Sequence, residues 1–126
     1  MIQSKNLQLM GYGRSHLEAL ARHKSELAEL LGVSIPCGWP NFPKALAVPA
    51  TSETTNLFDP EWPGFFFIHR HKKALVGNGG FFGPPDEFGI VEIGYEIAPE
   101  YWHRGLATEA AQAMIAYAFS HDAVKP

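Results

Sequence analysis

Residues 6 to 12, "NLQLMGY", alternate apolar Leu7 and Leu9 with polar neighbours, the period-two pattern of a half-buried strand. The period then lengthens. Leu17, Leu20, Ala21, Leu27, Ala28 and Leu31 recur on one helical face. Glu18, Arg22 and Glu26 fall four apart on the other, where such pairs lend modest support. Ser15 three residues before Glu18 has the form of a capping box, and Gly32 is a natural stop. One amphipathic helix is predicted between them. Residues 33 to 64 hold six of the ten prolines, which forbids long helix and central strand there. Trp39, Phe42, Phe58 and Trp62 are embedded in this stretch; such aromatics more often pin a loop to the core than line a groove. The run "ATSETTNLF" allows one short helix.

From Phe65 the pattern returns to strand. "FFFIHR", "ALVGNGGFFG" and "EFGIVEIGYEI" are apolar runs separated by His71-Lys72-Lys73 and by Pro84-Pro85-Asp86. Links this short favour antiparallel neighbours, so a meander is predicted whose last strand spans Val91–Ile97. Asn78-Gly79 reads as a hairpin turn inside the second run, or the glycines of the run mark a bulge. Pro99 ends the third run. The last helix, from about Thr108 to His121, is apolar nearly all round, with Glu109, Gln112 and Ser120 as a narrow polar stripe. That pattern predicts a helix packed on a sheet and covered again.

Composition narrows the class. At 126 residues, 46% hydrophobic and 18% charged, the chain reads as a single soluble domain spanning 1–126. A net charge of −3, with only Lys72-Lys73 adjacent, gives no nucleic-acid footprint. No apolar run approaches the ~20 residues of a spanning helix, and no basic leader precedes an apolar stretch. The single cysteine, Cys37, excludes an internal disulfide framework and fits a reducing compartment, so a cytoplasmic protein without a membrane partner is expected.

The chemistry concentrates where Trp102-His103-Arg104-Gly105-Leu106-Ala107 joins strand to helix. Gly105 accepts positive φ without a Cβ clash, and Ala107 permits close approach to the main chain. Amides of the first helical turn lack intrahelical partners and have the helix dipole behind them, which suits a phosphate or diphosphate. His103 and Arg104 add charge at the rim. A strand–turn–helix with one glycine is common, however, and alone decides nothing.

The wider run "IVEIGYEIAPEYWHRGLATEAAQAMIAYAF" closely resembles the core motif of the GNAT N-acetyltransferases, in particular the branch that acetylates ribosomal-protein N-termini. The family's loop reads Gln/Arg-x-x-Gly-x-Gly/Ala; Trp102 stands at its first position, a departure from the general pattern. Ala107-Thr108-Glu109-Ala110 matches the branch's "ATEA", and "EIGYEI" its fourth-strand pattern. The resemblance is strong over residues 88 to 121 and consistent, with less specificity, over 6 to 83. It implies an α/β (α+β) fold with a mostly antiparallel central sheet and flanking helices. It also implies acetyl-coenzyme A as cosubstrate, with no metal. By the same resemblance, Trp102, His103, Arg104, Gly105, Leu106, Ala107 and Thr108 hold the diphosphate, and backbone near Ile97 and Ala98 pairs with the pantetheine arm. A primary amine, on a protein N-terminus or a small molecule, attacks the thioester directly, and Trp39, Phe42 and the proline-rich stretch border the acceptor.

An ammonium cannot attack, so a base or water relay must take its proton. Glu92 and Glu96 share a strand face by alternation, and Glu92 is the choice because the resemblance places a glutamate there. A solvated carboxylate is an equally good reading of that position. His69 and His71 share a face but lack a third metal ligand; Tyr95 and Tyr101 read as packing groups. A dinucleotide site at "GNGGFFG" fails for want of a third glycine and a following helix. The family domain continues with a fifth strand, a fourth helix and a closing hairpin, which implies C-terminal truncation here. An open strand edge and apolar helix surface then predict self-association. The competing function is a non-catalytic remnant acting as a coenzyme-binding or interaction module.

Overall fold

The computed structural model describes residues 2–40, 62–81 and 84–121. Strands β1 (Ile2–Gln3) and β2 (Leu7–Gly11) open the chain, followed by helices α1 (Arg14–Arg22) and α2 (Lys24–Leu31). Strands β3 (Gly64–His69), β4 (Ala74–Phe81) and β5 (Ile93–Ile97) come next, then a 3-10 turn at Pro99–Tyr101 and helix α3 (Leu106–Phe119). The sheet runs β1-β2-β3-β4-β5, every neighbour antiparallel. The expected meander is present, extended by a β1–β2 hairpin that periodicity did not show because β1 has only two residues.

The predicted first helix is two. His23 is extended at φ −170° and ψ 143°, and its ring nitrogen accepts the Ser25 amide at 3.1 Å, ending one helix and capping the next. The start is also earlier than the capping-box reading. Gly13 is the N-cap, and its amide donates to His16 Nδ1 at 2.9 Å, while Glu18 pairs with Arg14 at 3.8 Å. Leu17 and Leu27 are the fully buried anchors of the pair, whereas Ala21 is exposed.

Asn78-Gly79 is not a hairpin turn: Phe66 pairs with Asn78 and Phe65 with Gly79 inside β4. The irregularity lies opposite the Phe67–Ile68 step, where pairing passes from Gly77 to Leu75. Gly77 is required by crowding, since a Cβ there would collide with the Glu96 carbonyl oxygen. The hairpin between β3 and β4 closes through the Lys73 amide to the His69 carbonyl at 2.9 Å.

Two cores flank the sheet. On one face Leu9, Phe65, Phe67, Val76 and Ile97 meet Leu106, Ala110 and Met114 of α3. On the other, Phe66, Leu75 and Ala98 meet Leu17, Leu27, Tyr12 and Trp39. Trp39 and Trp62 are buried, pinning both ends of the proline-rich stretch to the core. Phe42, Phe58 and the expected short helix lie outside the described residues. α3 departs from its expected setting: Ile115 and Phe119 are 43% and 52% exposed, so the helix is packed on one side and open on the other.

Candidate active site

Strand β5 delivers the chain to one end of the sheet. The Ala98 amide donates to the Val76 carbonyl at 2.8 Å, the last rung with β4. Antiparallel alternation then turns the peptide groups of Ile97, Tyr95 and Ile93 toward the opposite edge, where no strand pairs among the described residues. Pro99 starts the 3-10 turn, closed by the Tyr101 amide to the Ala98 carbonyl at 2.9 Å. His103 and Gly105 both take left-handed φ, 64° and 76°, and between them reverse the backbone into α3. Gly105 is the N-cap, and the first intrahelical bond runs from the Glu109 amide to the Gly105 carbonyl at 3.0 Å. The amides of Leu106, Ala107 and Thr108 are therefore left without partners inside the helix.

Those amides border a recess of about 330 Å³ lined by Ile97, Tyr101, Trp102, His103, Gly105, Leu106, Ala107 and Thr108. Seven of the nine sequence-derived binding positions meet here. The other two sit differently. Ala98 is buried with its amide committed to Val76, while Arg104 is exposed with its guanidinium 5.4 Å from the Tyr101 ring centre. Trp102, at the departing first position of the loop, donates its indole N–H to the Ile97 carbonyl at 2.6 Å, occupying one outward group of the β5 edge.

Two contributors went unseen in the sequence. Lys72, from the β3–β4 turn, comes within 5.7 Å of the same Tyr101 ring that Arg104 approaches, so two cations converge beside the recess. His69 stands in their field: desolvation first, then Lys72 and His71, lower its pKa. Its Nδ1 accepts the Lys72 amide at 3.2 Å. Among the described residues, no three His, Cys, Asp or Glu side chains gather as a metal site.

The second contributor is Glu109. Its carboxylate accepts from Ser4 Oγ, from the Asn6 amide at 2.7 Å and side chain at 2.9 Å, and from the Leu7 amide at 3.1 Å. Desolvation raises its pKa, but these donors together outweigh that and hold it below the usual carboxylate range. The β1–β2 turn is thereby bound to the start of α3, a link that the polar stripe alone did not suggest.

The two candidate bases differ. Glu92 is exposed and precedes β5, whereas Glu96 lies within β5, buried and paired in register with Asn78. Asn78 Oδ1 accepts the Trp39 indole N–H at 2.7 Å, placing this polar pair on the α1–α2 face. Nearby Tyr12 packs on Phe66 with ring centres 4.8 Å apart, and burial pushes its hydroxyl up to about 12, so it stays protonated.

The family model for the acetyltransferase (GNAT) domain matches residues 14–125. The chain belongs to the GNAT acetyltransferases. This GNAT chain is 27% identical over 126 residues to the uncharacterized N-acetyltransferase YjdG of Bacillus subtilis, covering 98% of itself and 75% of that protein. A GNAT-family acetyltransferase of Bacillus anthracis superposes with a TM-score of 0.52 at 25% identity, over 94% of this chain and 66% of that one. The structure of RimL, the ribosomal L7/L12 alpha-N-protein acetyltransferase, in complex with coenzyme A gives 0.59 at 18% identity, covering 97% and 68%. The chain thus spans about two thirds of the length of these solved structures, and at 18% identity the RimL likeness shows the fold alone. The α/β sheet with flanking helices stands as expected.

Proposed function

We propose that this domain transfers an acetyl group from acetyl-coenzyme A to a primary amine, on a protein N-terminus or a small molecule. The observation that carries the reading is the recess formed by the open amides of Leu106, Ala107 and Thr108 behind the left-handed pair His103 and Gly105. Two phosphates of the coenzyme suit those donors and the helix dipole. Lys72 and Arg104 supply positive charge at the mouth. The outward edge of β5 receives the pantetheine arm, and the acetyl thioester lies along Tyr95 and Ile93.

The neutral amine attacks the thioester carbonyl. A C–N bond forms, the C–S bond breaks on collapse of the tetrahedral intermediate, and the coenzyme departs as thiolate. A strand amide polarises the carbonyl oxygen. The proton lost by the ammonium passes to Glu92, whose exposure lets it hand that proton to water; the second proton, shed by the nitrogen as the intermediate collapses, reaches the departing thiolate through solvent. A reducing, cytoplasmic setting suits the free thiol of Cys37.

Thiol release measured across a panel of amines and N-terminal peptides tests turnover; Glu92→Gln should lower kcat by about 10²-fold, the scale of general-base catalysis. No release with any acceptor, from a protein whose melting temperature acetyl-coenzyme A raises, would favour the alternative of a coenzyme-binding interaction module. Exposed Ile115 and Phe119, with the open edge of β5, favour self-association in either case. Sedimentation at micromolar concentration should show dimers or larger species, and a clean monomer contradicts this.

A further inference from the structure

We propose that Glu109 is a positioning residue for coenzyme binding: it fixes the first turn of α3 against the β1–β2 turn and so aims the open amides at the diphosphate. The inference rests on the coenzyme reading above. A carboxylate one turn from a bound diphosphate is unfavourable by charge, so its presence needs a reason. Its side chain leans back toward the helix start, as helical side chains do, and both oxygens face the sheet. Oε2 accepts from Ser4 Oγ, the Asn6 amide and the Leu7 amide, and Oε1 from Asn6 Nδ2. The charge is thereby engaged by donors from the opposite end of the sequence. The turn that supplies them is held from its other side by Arg70, whose Nη1 donates to the Ser4 carbonyl at 2.8 Å.

The body of α3 does not depend on this contact. Met114 and Ala118 anchor its later turns in apolar cores, whereas the first turn has Leu106 and Ala110 below it and Glu109 at its side. Losing Glu109 therefore removes the polar tie between the first turn and the β1–β2 turn while the apolar contacts keep the helix docked, and the helix start is free to shift locally. Amide donors gain their strength from fixed aim, so such freedom costs affinity for the anion. Glutamine is a demanding substitute. Its amide group presents N–H donors of its own to a ring of donors, so at least one loses its acceptor.

The test measures acetyl-coenzyme A affinity by titration calorimetry, beside urea stability, in wild type, Glu109→Gln and Met114→Ala. The expected result is an affinity about tenfold weaker in Glu109→Gln. Met114→Ala loses more stability, yet its affinity should stay within about twofold of wild type. If Glu109→Gln fails to fold, Asn6→Ala and Ser4→Ala, each removing one side-chain donor, should weaken binding about threefold. A folded Glu109 variant that binds as wild type does, or a Met114→Ala protein weakened as much as Glu109→Gln, overturns the positioning role alone. A wild-type protein that does not bind acetyl-coenzyme A overturns the coenzyme reading and this inference together.

Discussion

Gly105 carries a backbone constraint that no side-chain contact reveals. At φ 76° an L side chain is strained, although a Cβ there would meet no atom within 4 Å. Gly105→Val should therefore cost stability by strain alone, about 1–3 kcal/mol, and weaken coenzyme binding by tilting the first amides of α3. Gly105→Asn should cost less, because Asn tolerates left-handed φ; urea titration of the two variants checks the order. Glu109 makes a prediction about acid. Its folded pKa lies below the ordinary carboxylate value, so the native state holds this proton more weakly than the unfolded chain does. The stability it contributes is complete above the unfolded pKa and is lost as pH falls through the folded one. Glu109→Gln should lower stability at neutral pH and flatten the acid limb of the stability curve, measured by denaturation from pH 7 downward; an unchanged limb contradicts the assignment.

At the scale of elements, α3 shows how far a pattern carries. Its apolar composition correctly marked a helix on the sheet, yet composition cannot tell a helix covered twice from one covered once. Met114→Ala, on the docked face and fully buried, should cost about 2–5 kcal/mol, whereas Ile115→Ala on the open face should stay within about 0.5 kcal/mol in a monomer. The break at His23 escaped the sequence reading because apolar positions on either side keep helical spacing across a single extended residue. The hairpin-turn alternative at Asn78-Gly79 failed because the glycines of "GNGG" answer to crowding by the neighbouring strands rather than to a turn, while the bulge alternative met the irregularity that begins at Gly77. By contrast, the strand–turn–helix at residues 97 to 108 was legible, since left-handed backbone and open amides follow from local sequence. What the sequence hid were the contacts made across long separations: Glu109 with Asn6, Lys72 with Tyr101, Trp39 with Asn78.

Across the whole molecule the net charge of −3 conceals an uneven distribution. The turns that hold Lys5 and Lys72, the β3 end at Arg70, and the loop at Arg104 all meet at the end of the sheet where α3 begins. Meanwhile Glu109 is occupied by the β1–β2 turn, and Glu100 accepts the Gly38 amide at 3.1 Å, a bond that leads the lowering of its pKa. Lys5, Arg70, Lys72 and Arg104 outnumber these two carboxylates, so the recess opens in a locally basic field, and coenzyme association should slow as salt rises. Replacing Lys72 and Arg104 together by Gln should reduce that salt dependence in stopped-flow association; an unchanged slope would show that the two cations do not steer. The proposed function stands or falls with the grip of the α3 amides on the coenzyme diphosphate. Titrating ¹⁵N-labelled protein with acetyl-coenzyme A while following amide shifts tests it most directly. The largest shifts are expected at Gly105, Leu106, Ala107 and Thr108 and should be lost in Gly105→Val; binding that leaves those four amides unmoved, or no binding at all, overturns the assignment.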